Sequence, residues 1–471
     1  MQTAQSQPEV ANPTPPPPTL AETLKVRRQK LANLIDFPVL LWSGAAKPRN
    51  FAANTYPYRA SSHFLYFAGL PLKNAAIRLE SAQLTLFMDE TTPEETLWHG
   101  PSPSRADIAE KMGADEALPL SAMAEMASGV ATLGEQDETV QMLEQAMLER
   151  GIVLPRHHPQ GNGVLEKAIV KLRMTQDEAS LAEIRKAITV SVGAHRAGMA
   201  ATPNAKTEAQ VRGIMEGVII GQNMHCAYGS IVTTAGEVLH NHHYHNRLEA
   251  GDLLLADVGA ETAGGWASDI TRTWPVSGQF SPTQRDVYDI VLAAHDQAIR
   301  KATAGIEYMY VHLAACHILA EGLVDLGILK GNPEELVAQD AHALFFPHGV
   351  GHLLGLDVHD MEDLGDLAGY DEDRERSDRF GLSFLRLNRR LEPGMVVTIE
   401  PGFYQVPAIL DDPKNRDRYA HMVNWKLLEH FSDVRGIRIE DDLLITPRGN
   451  EVLSDALPTS AEGIEHLVAG Q

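Results

Sequence analysis

Two segments of the chain share one pattern, and this repeat limits the available folds more than any other feature of the sequence. Residues 248–259 read LEAGDLLLADVG and residues 391–402 read LEPGMVVTIEPG. Each begins with Leu-Glu-x-Gly, continues through a mostly apolar run, and places an acid six residues after that glycine and two before another. Internal repeats indicate structurally related units. We therefore expect Asp257 and Glu400 to occupy matching places in two related half-domains.

The acids of this repeat need partners. Asp257 directly follows the apolar run 253–256, and a buried carboxylate normally protonates, pairs with a cation or binds a metal. Asp269 follows a Gly-Gly pair that predicts a hairpin returning a second strand beside Asp257. Glu440 lies among apolar neighbours in GIRIEDDLLIT. Four acids, counting Glu400, therefore require one explanation.

Histidines near these acids favour a metal site. The segment FFPHGVGHLLGLDVHD contains His348, His352 and His359. Carboxylates with an imidazole suit Mn, Co, Fe or Zn, and carboxylates that bridge suit a pair of ions. Each residue taken singly has another interpretation, because acids near glycines often mark turns and the acids of residues 440–442 are typical of a solvated charge run. LHNHHYHNR resembles a polar loop, from which we retain only His240 because it follows an apolar, strand-like segment.

Composition limits the class of protein. The chain has 471 residues, of which 44% are hydrophobic and 22% charged, which is typical of a globular protein with room for two domains. A net charge of -23 argues against nucleic acid and acidic membrane surfaces as partners. No apolar run reaches the roughly 18 residues of a membrane span. Two cysteines cannot form a disulfide framework, and no export signal is visible, so we expect a soluble cytoplasmic protein.

Periodicity predicts two regions. The runs VLLWSG, FLYFAGL and LTLFMDE predict strands, and MAEMASGV and VQMLEQAMLERG predict helices, so the first region is a small α/β domain ending near Gly163. The second region is α+β, with a charged helical segment at its start and amphipathic helices over 207–226, 281–302 and 308–329. One of these helices has a clear start signal. Ser281 and Gln284 form a capping box, and Pro282 occupies the first helical position.

These motifs resemble the metallopeptidase family that includes aminopeptidase P, prolidase, methionine aminopeptidase and creatinase. The resemblance covers nearly the whole chain and implies two divalent metal ions, with Mn²⁺ preferred over Co²⁺ or Zn²⁺. The implied ligands are Asp257, Asp269 in SDITRT, His352 in HGVGH, Glu400 in TIEPG and Glu440 in RIEDD. This complete ligand set argues against the metal-free creatinase branch. Two such ions activate water for attack on a peptide carbonyl.

The same resemblance implies a domain division. It predicts a disordered, proline-rich tail over residues 1–22, an aminopeptidase P-type α/β domain over 23–165, and an α+β catalytic domain of the "pita-bread" type, with internal pseudo-symmetry, over 166–471. TYPYRASSHFLYFAGL resembles the amino-terminal signature of aminopeptidase P, with His63 where an acid is common. The family also implies a homodimer or homotetramer.

The family further implies roles for individual side chains. His240 and His359 would contact substrate, His348 would shape the pocket and Glu400 would relay a proton. Arg438, two residues before Glu440, shares its strand face and would orient a carboxylate. Tyr404 joins the expected substrate contacts.

Two activities remain open at this stage. The leading one is a Xaa-Pro aminopeptidase, which removes the residue before a proline at the second position of a peptide. The alternative is a Xaa-Pro dipeptidase of the prolidase type, in which Arg386 would grip the free carboxylate of a dipeptide. An ordinary surface arginine is the other interpretation of Arg386.

Overall fold

The amino-terminal part of the chain is built around a four-stranded sheet. The computed structural model describes residues 18–126, 129–133 and 161–470. The predicted helix VQMLEQAMLERG and most of the predicted tail therefore lie outside the described residues. The order of the sheet is β1-β4-β5-β6, with the first three strands antiparallel and β6 parallel to β5. Strands of this part are β1 Val39–Trp42, β2 Pro48–Phe51, β3 Asn54–Thr55, β4 Ala76–Glu80, β5 Gln83–Phe87 and β6 Glu116–Leu118.

Short helices surround this sheet. They are α1 Leu20–Ala32, α2 Ser62–Ala68, α3 Pro93–His99, α4 Arg105–Met112 and α5 Met123–Met126. The predicted strands VLLWSG and LTLFMDE are confirmed as β1 and β5. The predicted strand FLYFAGL is wrong, because it forms most of α2, and every residue of that helix is buried. An apolar run that is buried on all sides has no period that separates a helix from a strand.

The domain boundaries expected from the sequence differ from the observed elements. α1 begins at Leu20, where Thr19 and Glu22 form a capping box, so the last three positions of the predicted tail are helical. The expected boundary at 165/166 falls inside α6, Gly161–Arg173. α6 contacts α1, and Leu165 and Ile169 of α6 share with Leu24 of α1 a buried cluster that also includes residues of the later sheets, such as Val396 and Leu444.

The rest of the chain alternates helix pairs with antiparallel sheets. Its strands are β7 His225–Cys226, β8 Ile231–Thr233, β9 Leu253–Asp257, β10 Ala260–Glu261, β11 Thr271–Pro275, β12 Val396–Ile399, β13 Gly402–Tyr404, β14 Gly436–Arg438, β15 Asp441–Thr446 and β16 Gly449–Val452. Its helices are α7 Glu178–Ala201, α8 Glu208–Gly221, α9 Pro282–Lys301, α10 Tyr308–Asp325, α11 Pro333–Ala338, α12 Asp366–Gly369, α13 Pro407–Leu410, α14 Pro413–Arg418, α15 Trp425–Leu428 and α16 Ala461–Val468. None of the described helices is long and apolar enough to cross a membrane.

The two halves of this region correspond to the sequence repeat. The paired helices α7 and α8 precede the sheet β8-β9-β11, and the paired helices α9 and α10 precede the sheet β12-β15-β16. The repeated segments form β9 and β12. The glycine after each acid has a steric reason: a Cβ on Gly259 would lie 1.9 Å from the Ser268 carbonyl oxygen, and one on Gly402 would lie 2.7 Å from that of Ile437. A bridge between Thr271 and Glu440 joins the halves.

The three long helices predicted for this region start within one residue of the observed helices, but the ends predicted at residues 226 and 329 are too late, and α10 ends at Asp325. The capping box at Ser281 is confirmed, with Pro282 at the first position of α9. The helix predicted over 207–226 is too long at its end, because α8 stops at Gly221. Asn223 then takes a left-handed conformation, φ 56°, and residues 225–226 pair with β10 instead.

Candidate active site

Four carboxylates meet where strands of the two halves end. Asp257 is the last residue of β9, Asp269 lies two residues before β11, Glu400 follows β12, and Glu440 precedes β15. The register sets Asp257 opposite Thr271, so alternation places Asp269 on the same face as this pair. Asp257, Asp269 and Glu440 are buried. The expected hairpin therefore brings its two acids together.

Tyr228 joins two of these acids and was missed from the sequence. Its hydroxyl lies 2.5 Å from Asp257 Oδ1 and 2.6 Å from Asp269 Oδ1. Burial, followed by the charges of the nearby acids, raises the pKa of Tyr228 well above its usual value, so the hydroxyl keeps its proton. Tyr228 precedes a glycine in CAYGS, a context typical of a turn, and no pattern distinguishes it from a surface tyrosine.

His352 faces the same carboxylates. Its Nδ1–H donates to the Leu353 carbonyl at 3.0 Å, which leaves the lone pair on Nε2. That nitrogen lies 3.4 Å from Asp269 Oδ2 and 3.6 Å from Glu400 Oε1. A backbone bond of this kind fixes the tautomer of a metal-binding imidazole.

The five side chains expected as ligands form overlapping groups of possible metal-binding atoms. One group is Asp257, Asp269 and Glu440, and a second is His352, Glu400 and Glu440; within each group the atoms lie within 4.8 Å of one another. A third group joins Asp269 and His352 to His359. Asp269, His352 and Glu440 each belong to two of these groups, so the groups share side chains and form one cluster.

The buried acids of this cluster need nearby positive charge in order to be ionised. Burial, followed by the charge of Asp257, raises the pKa of Asp269 to about 8, and burial raises that of Glu400 to about 7. Burial, followed by the charges of Asp269 and Glu400, raises the pKa of Glu440 well above its usual value. One guanidinium, Arg438, faces these four acids. Divalent cations would supply the missing positive charge, so the donor set fits a pair of such ions.

Arg438 is held from three sides. Its guanidinium donates to Asp257 Oδ2 at 2.7 Å, to the Tyr404 hydroxyl at 3.1 Å and to Thr271 Oγ1 at 3.1 Å. Arg438 therefore lies where the sequence placed it, beside a carboxylate ligand. Tyr404 differs from expectation: it is fully buried, it is not among the residues lining the pocket, and its hydroxyl also bonds His348 Nε2 at 2.9 Å. It therefore supports the pocket wall through His348 and Arg438, and its expected contact with substrate stays a prediction.

The three remaining histidines line one pocket with the acids. The pocket has a volume of about 480 Å³, and its wall includes His240, His348 and His359 together with Leu239, Phe384 and Ile409. The His348 Nδ1–H donates to the Gly349 carbonyl at 2.8 Å, and burial, then Arg438, lowers the pKa of His348 to about 3. His348 is therefore neutral. The His359 ring packs edge-on against His352 at 4.2 Å between centroids.

His240 reaches the pocket from a turn and not from a strand end as predicted. Residues 236–240 form turns, and the following residues up to Asn246 have no regular structure. The prediction of a polar loop for His242, His243 and His245 agrees with this. His240 is exposed, and partial burial followed by Arg438 lowers its pKa. This wall of the pocket is therefore open to solvent.

The run Glu440, Asp441, Asp442 is not the solvated charge run that was the alternative interpretation. All three residues are buried. Asp441 pairs with the buried Arg272 at 2.7 Å. Asp442 Oδ2 accepts the backbone N–H of Asp269 at 3.1 Å and so positions that acid. Each acid of the run has a separate contact in the core.

The amino-terminal part of the chain supports the segment that carries His359. Arg173 of α6 is buried and donates to Asp360 at 2.6 Å and to His63 at 2.9 Å. His63 also bonds Asp363 at 2.8 Å, so this residue does lie at the contact between the two parts of the chain. Arg59 of the YPYR motif pairs with Glu261 at 2.7 Å. The segment that carries His359 is therefore held in place by side chains of the amino-terminal part of the chain.

Arg386 lines the pocket but is already paired. Its guanidinium donates to Glu362 Oε2 at 2.6 Å, and the same carboxylate lies 3.3 Å from His359 Nδ1. Side-chain exposures of 36% and 38% place this ion pair at the pocket mouth.

The chain has two related half-domains and a carboxylate-rich centre that fits two divalent ions. This centre lies inside a pocket of about 480 Å³. These are the features of a dinuclear metallohydrolase. Comparison with known proteins is more specific. Residues 182–447 match the model of metallopeptidase family M24, and residues 24–140 match the aminopeptidase P amino-terminal domain. The chain belongs to metallopeptidase family M24 and is a peptide hydrolase.

Relatives and solved structures agree with this membership. The chain is 34% identical to a probable Xaa-Pro aminopeptidase of Botryotinia fuckeliana, over 87% of each chain, and 31% identical to one of Talaromyces marneffei, over 92% of each. Aminopeptidase P of Escherichia coli superposes with a TM-score of 0.77 at 29% identity, covering 96% of this chain and 98% of that one. Proline aminopeptidase P II of Yersinia pestis superposes with a TM-score of 0.75 at 30% identity, covering 96% and 100%.

Proposed function

We propose that the protein is a Xaa-Pro aminopeptidase, which hydrolyses the bond between an amino-terminal residue and a following proline. The observation that carries this proposal is the group of four carboxylates and His352 in one pocket, within a chain that is similar over most of its length to aminopeptidases of this specificity.

The proposed metal ligands are Asp257, Asp269, His352, Glu400 and Glu440. When bound, two divalent cations supply an activated water and polarise the scissile carbonyl. Four oxygen donors and one imidazole favour Mn²⁺, with Co²⁺ and Zn²⁺ as alternatives. Asp269, His352 and Glu440 each belong to two of the close groups, and of these three the carboxylates of Asp269 and Glu440 would contact both ions.

The proposed work of the other side chains follows from their contacts. Arg438 and Tyr228 hold Asp257 from two sides, which keeps its carboxylate oriented. Glu400 lines the pocket, and we assign it the transfer of a proton to or from the peptide. His240 and His359 line the pocket, and we assign them contacts with the peptide.

The dipeptidase alternative is disfavoured by the state of Arg386. A dipeptide carboxylate would have to displace Glu362 from this guanidinium or share it. The relatives described above are also named as aminopeptidases. A panel of Xaa-Pro dipeptides against Xaa-Pro-Yaa tripeptides and longer peptides, assayed with added Mn²⁺, separates the two activities: the aminopeptidase cleaves the longer peptides, and hydrolysis confined to dipeptides refutes the proposal.

A matched set of variants tests the site itself. Asp257→Ala, His352→Ala and Glu440→Ala should each abolish hydrolysis and lower bound metal, because each removes a proposed ligand. Asp289→Ala is the control, since this acid lies on the exposed side of α9 in an ion pair with Arg285. Near wild-type turnover and metal content in any of the three ligand variants would contradict the assignment.

Assembly, location and domain division complete the proposal. We propose a homodimer or homotetramer, as the family resemblance implies. We also propose a reducing cytoplasm, which suits a chain whose two cysteines are free. Of the predicted divisions, the separation of an amino-terminal domain from a catalytic domain is retained, with α6 assigned to the former because it packs there. Light scattering of the purified protein measures the assembly.

A further inference from the structure

A second group of metal-binding side chains lies in the core, separate from the four carboxylates. His312 and Cys316 are one turn apart on α10 and therefore share a face of this helix. His342 lies in a single 3₁₀ turn, Ala341–Leu344. One ligand atom from each of the three lies within 4.8 Å of the others, and all three side chains are buried. None of them is among the residues lining the peptide pocket.

His342 lacks the contacts that a buried imidazole requires. The residue is 1% exposed, and neither Nδ1 nor Nε2 has a hydrogen-bond partner in the described part of the chain. A neutral imidazole has one donor and one acceptor nitrogen, and each buried polar group left without a partner destabilises the fold. A cation at this position would satisfy the acceptor nitrogen.

His312 keeps one nitrogen free for a metal. Its Nε2–H donates to the Gly381 carbonyl at 3.0 Å, the type of bond that metal-binding histidines make with their other nitrogen. Cys316 Sγ lies 3.4 Å from this Nε2 and 3.9 Å from Nδ1, the nitrogen that has the free lone pair. Tetrahedral zinc, with Zn–N of about 2.0–2.1 Å and Zn–S of about 2.3 Å, places nitrogen and sulfur about 3.5 Å apart. Zinc binding would therefore require the His312 ring to turn its Nδ1 towards the sulfur.

We propose that His312, Cys316 and His342 supply three ligands to one zinc ion, at a site distinct from the proposed catalytic pair. One thiolate and two imidazoles form a donor set that suits zinc. On binding, the Cys316 S–H bond breaks, the sulfur bonds to zinc and one proton passes to solvent.

An ion pair lies beside such a site, and it adds no net charge. Zinc with one thiolate carries a net charge of +1. The carboxylate of Asp340, which is 4% exposed, interacts electrostatically with Cys316 and bonds Arg379 at 2.7 Å. Burial raises the pKa of the Cys316 thiol, so the metal-free thiol holds its proton and zinc uptake releases it.

The site links the core to the wall of the peptide pocket. Phe346 contacts both His312, at 5.6 Å between ring centroids, and His348, at 4.8 Å. The Gly381 carbonyl belongs to the segment that continues to Phe384 and Arg386 at the pocket. Zinc at this position would fix these two segments to α10.

Cobalt substitution tests the site without reference to peptidase activity. The purified protein is stripped with a chelator and titrated with Co²⁺, and the near-ultraviolet charge-transfer absorption from sulfur to cobalt is measured. The proposed catalytic ligands contain no sulfur, so this band reports the new site alone. We expect the band in wild type and in Cys226→Ser, which removes the other cysteine, and we expect its loss in Cys316→Ser.

Metal analysis of the zinc-loaded protein gives the second measurement. Cys316→Ser should hold one equivalent of zinc per chain less than wild type, and Asp257→Ala should keep the cobalt band whatever happens to its catalytic metal. If Cys316→Ser does not fold, as judged by circular dichroism, His342→Gln retains the thiol and should lose the same equivalent. A wild type without the band, or equal zinc content in wild type and His342→Gln, overturns the proposal.

Discussion

Tyr228→Phe should weaken metal binding without removing a metal ligand. The substitution deletes one hydroxyl that lies 2.5 Å from Asp257 and 2.6 Å from Asp269, and it leaves the ring in place. The hydrogen bond from this hydroxyl lowers the pKa of Asp269 and so favours the ionised carboxylate, which is the form that binds metal. Arg438 still holds Asp257 from the opposite side, so we expect the pocket to keep its shape.

The magnitude follows from the bond that is lost. A hydrogen bond to a charged group contributes about 1.5–3 kcal/mol, and each 1.4 kcal/mol changes an equilibrium constant about tenfold. The metal dissociation constant should therefore rise by about 10- to 100-fold, which is also the range found when partners of metal ligands are removed. At saturating metal, turnover should recover to a large part of the wild-type value, because the ligands themselves remain.

Isothermal titration of the chelator-stripped protein with Mn²⁺ measures this change, with hydrolysis of a Xaa-Pro tripeptide followed over the same metal concentrations. Tyr244→Phe is the matched control: its hydroxyl bonds the Ser230 carbonyl and touches no carboxylate of the site. An unchanged dissociation constant in Tyr228→Phe, or an equal change in the control, would refute the reasoning.

Three further predictions follow from single contacts. His359→Ala should lower kcat while equilibrium dialysis finds unchanged metal, because its Nδ1 faces Glu362; loss of an ion would make it a ligand instead. Arg386→Ala should leave kcat/KM for longer Xaa-Pro peptides within about threefold of wild type, whereas a steep rise in KM for dipeptides alone would favour the dipeptidase. Burial raises the pKa of Asp177, but the bonds of its carboxylate to Arg27 and Ser180 lower this pKa to about 2, from an ordinary value of 3.8. The ion pair with Arg27 therefore stabilises the fold above about pH 4 and loses this effect as the pH falls towards 2. Asp177→Asn should therefore lower the denaturant midpoint at pH 6 and do so by about half as much at pH 3; an equal loss at both pH values contradicts this.

Local patterns in the sequence predict those parts of the structure that depend on neighbouring residues. The capping box at Ser281 forms because its partners lie within one turn of each other. β9 and β12 follow from apolar runs that end in an acid and a glycine, and the glycines are required because backbone atoms of another segment approach them closely. These features depend on short spacings, so they can be read before the chain is folded.

Other features depend on which face of an element is covered, and the sequence does not contain that information locally. Residues 64–68 of FLYFAGL form part of a helix that is buried on every side, so their apolar pattern alone does not show whether they form a helix or a strand. Asp441 and Asp442 are core residues because Arg272 and the backbone of Asp269 reach them from another strand, more than 160 residues away in the chain. An isolated acidic run looks the same whether it is solvated or paired.

The sequence alone therefore determined the repeat, the types of residue available to bind metal and the family they resemble, because each is a matter of residue identity at fixed spacing. Only the tertiary structure decided which side chains meet. Tyr228 joins Asp257 to Asp269, Tyr404 turns away from the pocket to support Arg438, and His342 approaches Cys316, through contacts between segments that are distant in the chain. Such contacts arise when separate elements pack against one another, and packing is a property of the whole chain.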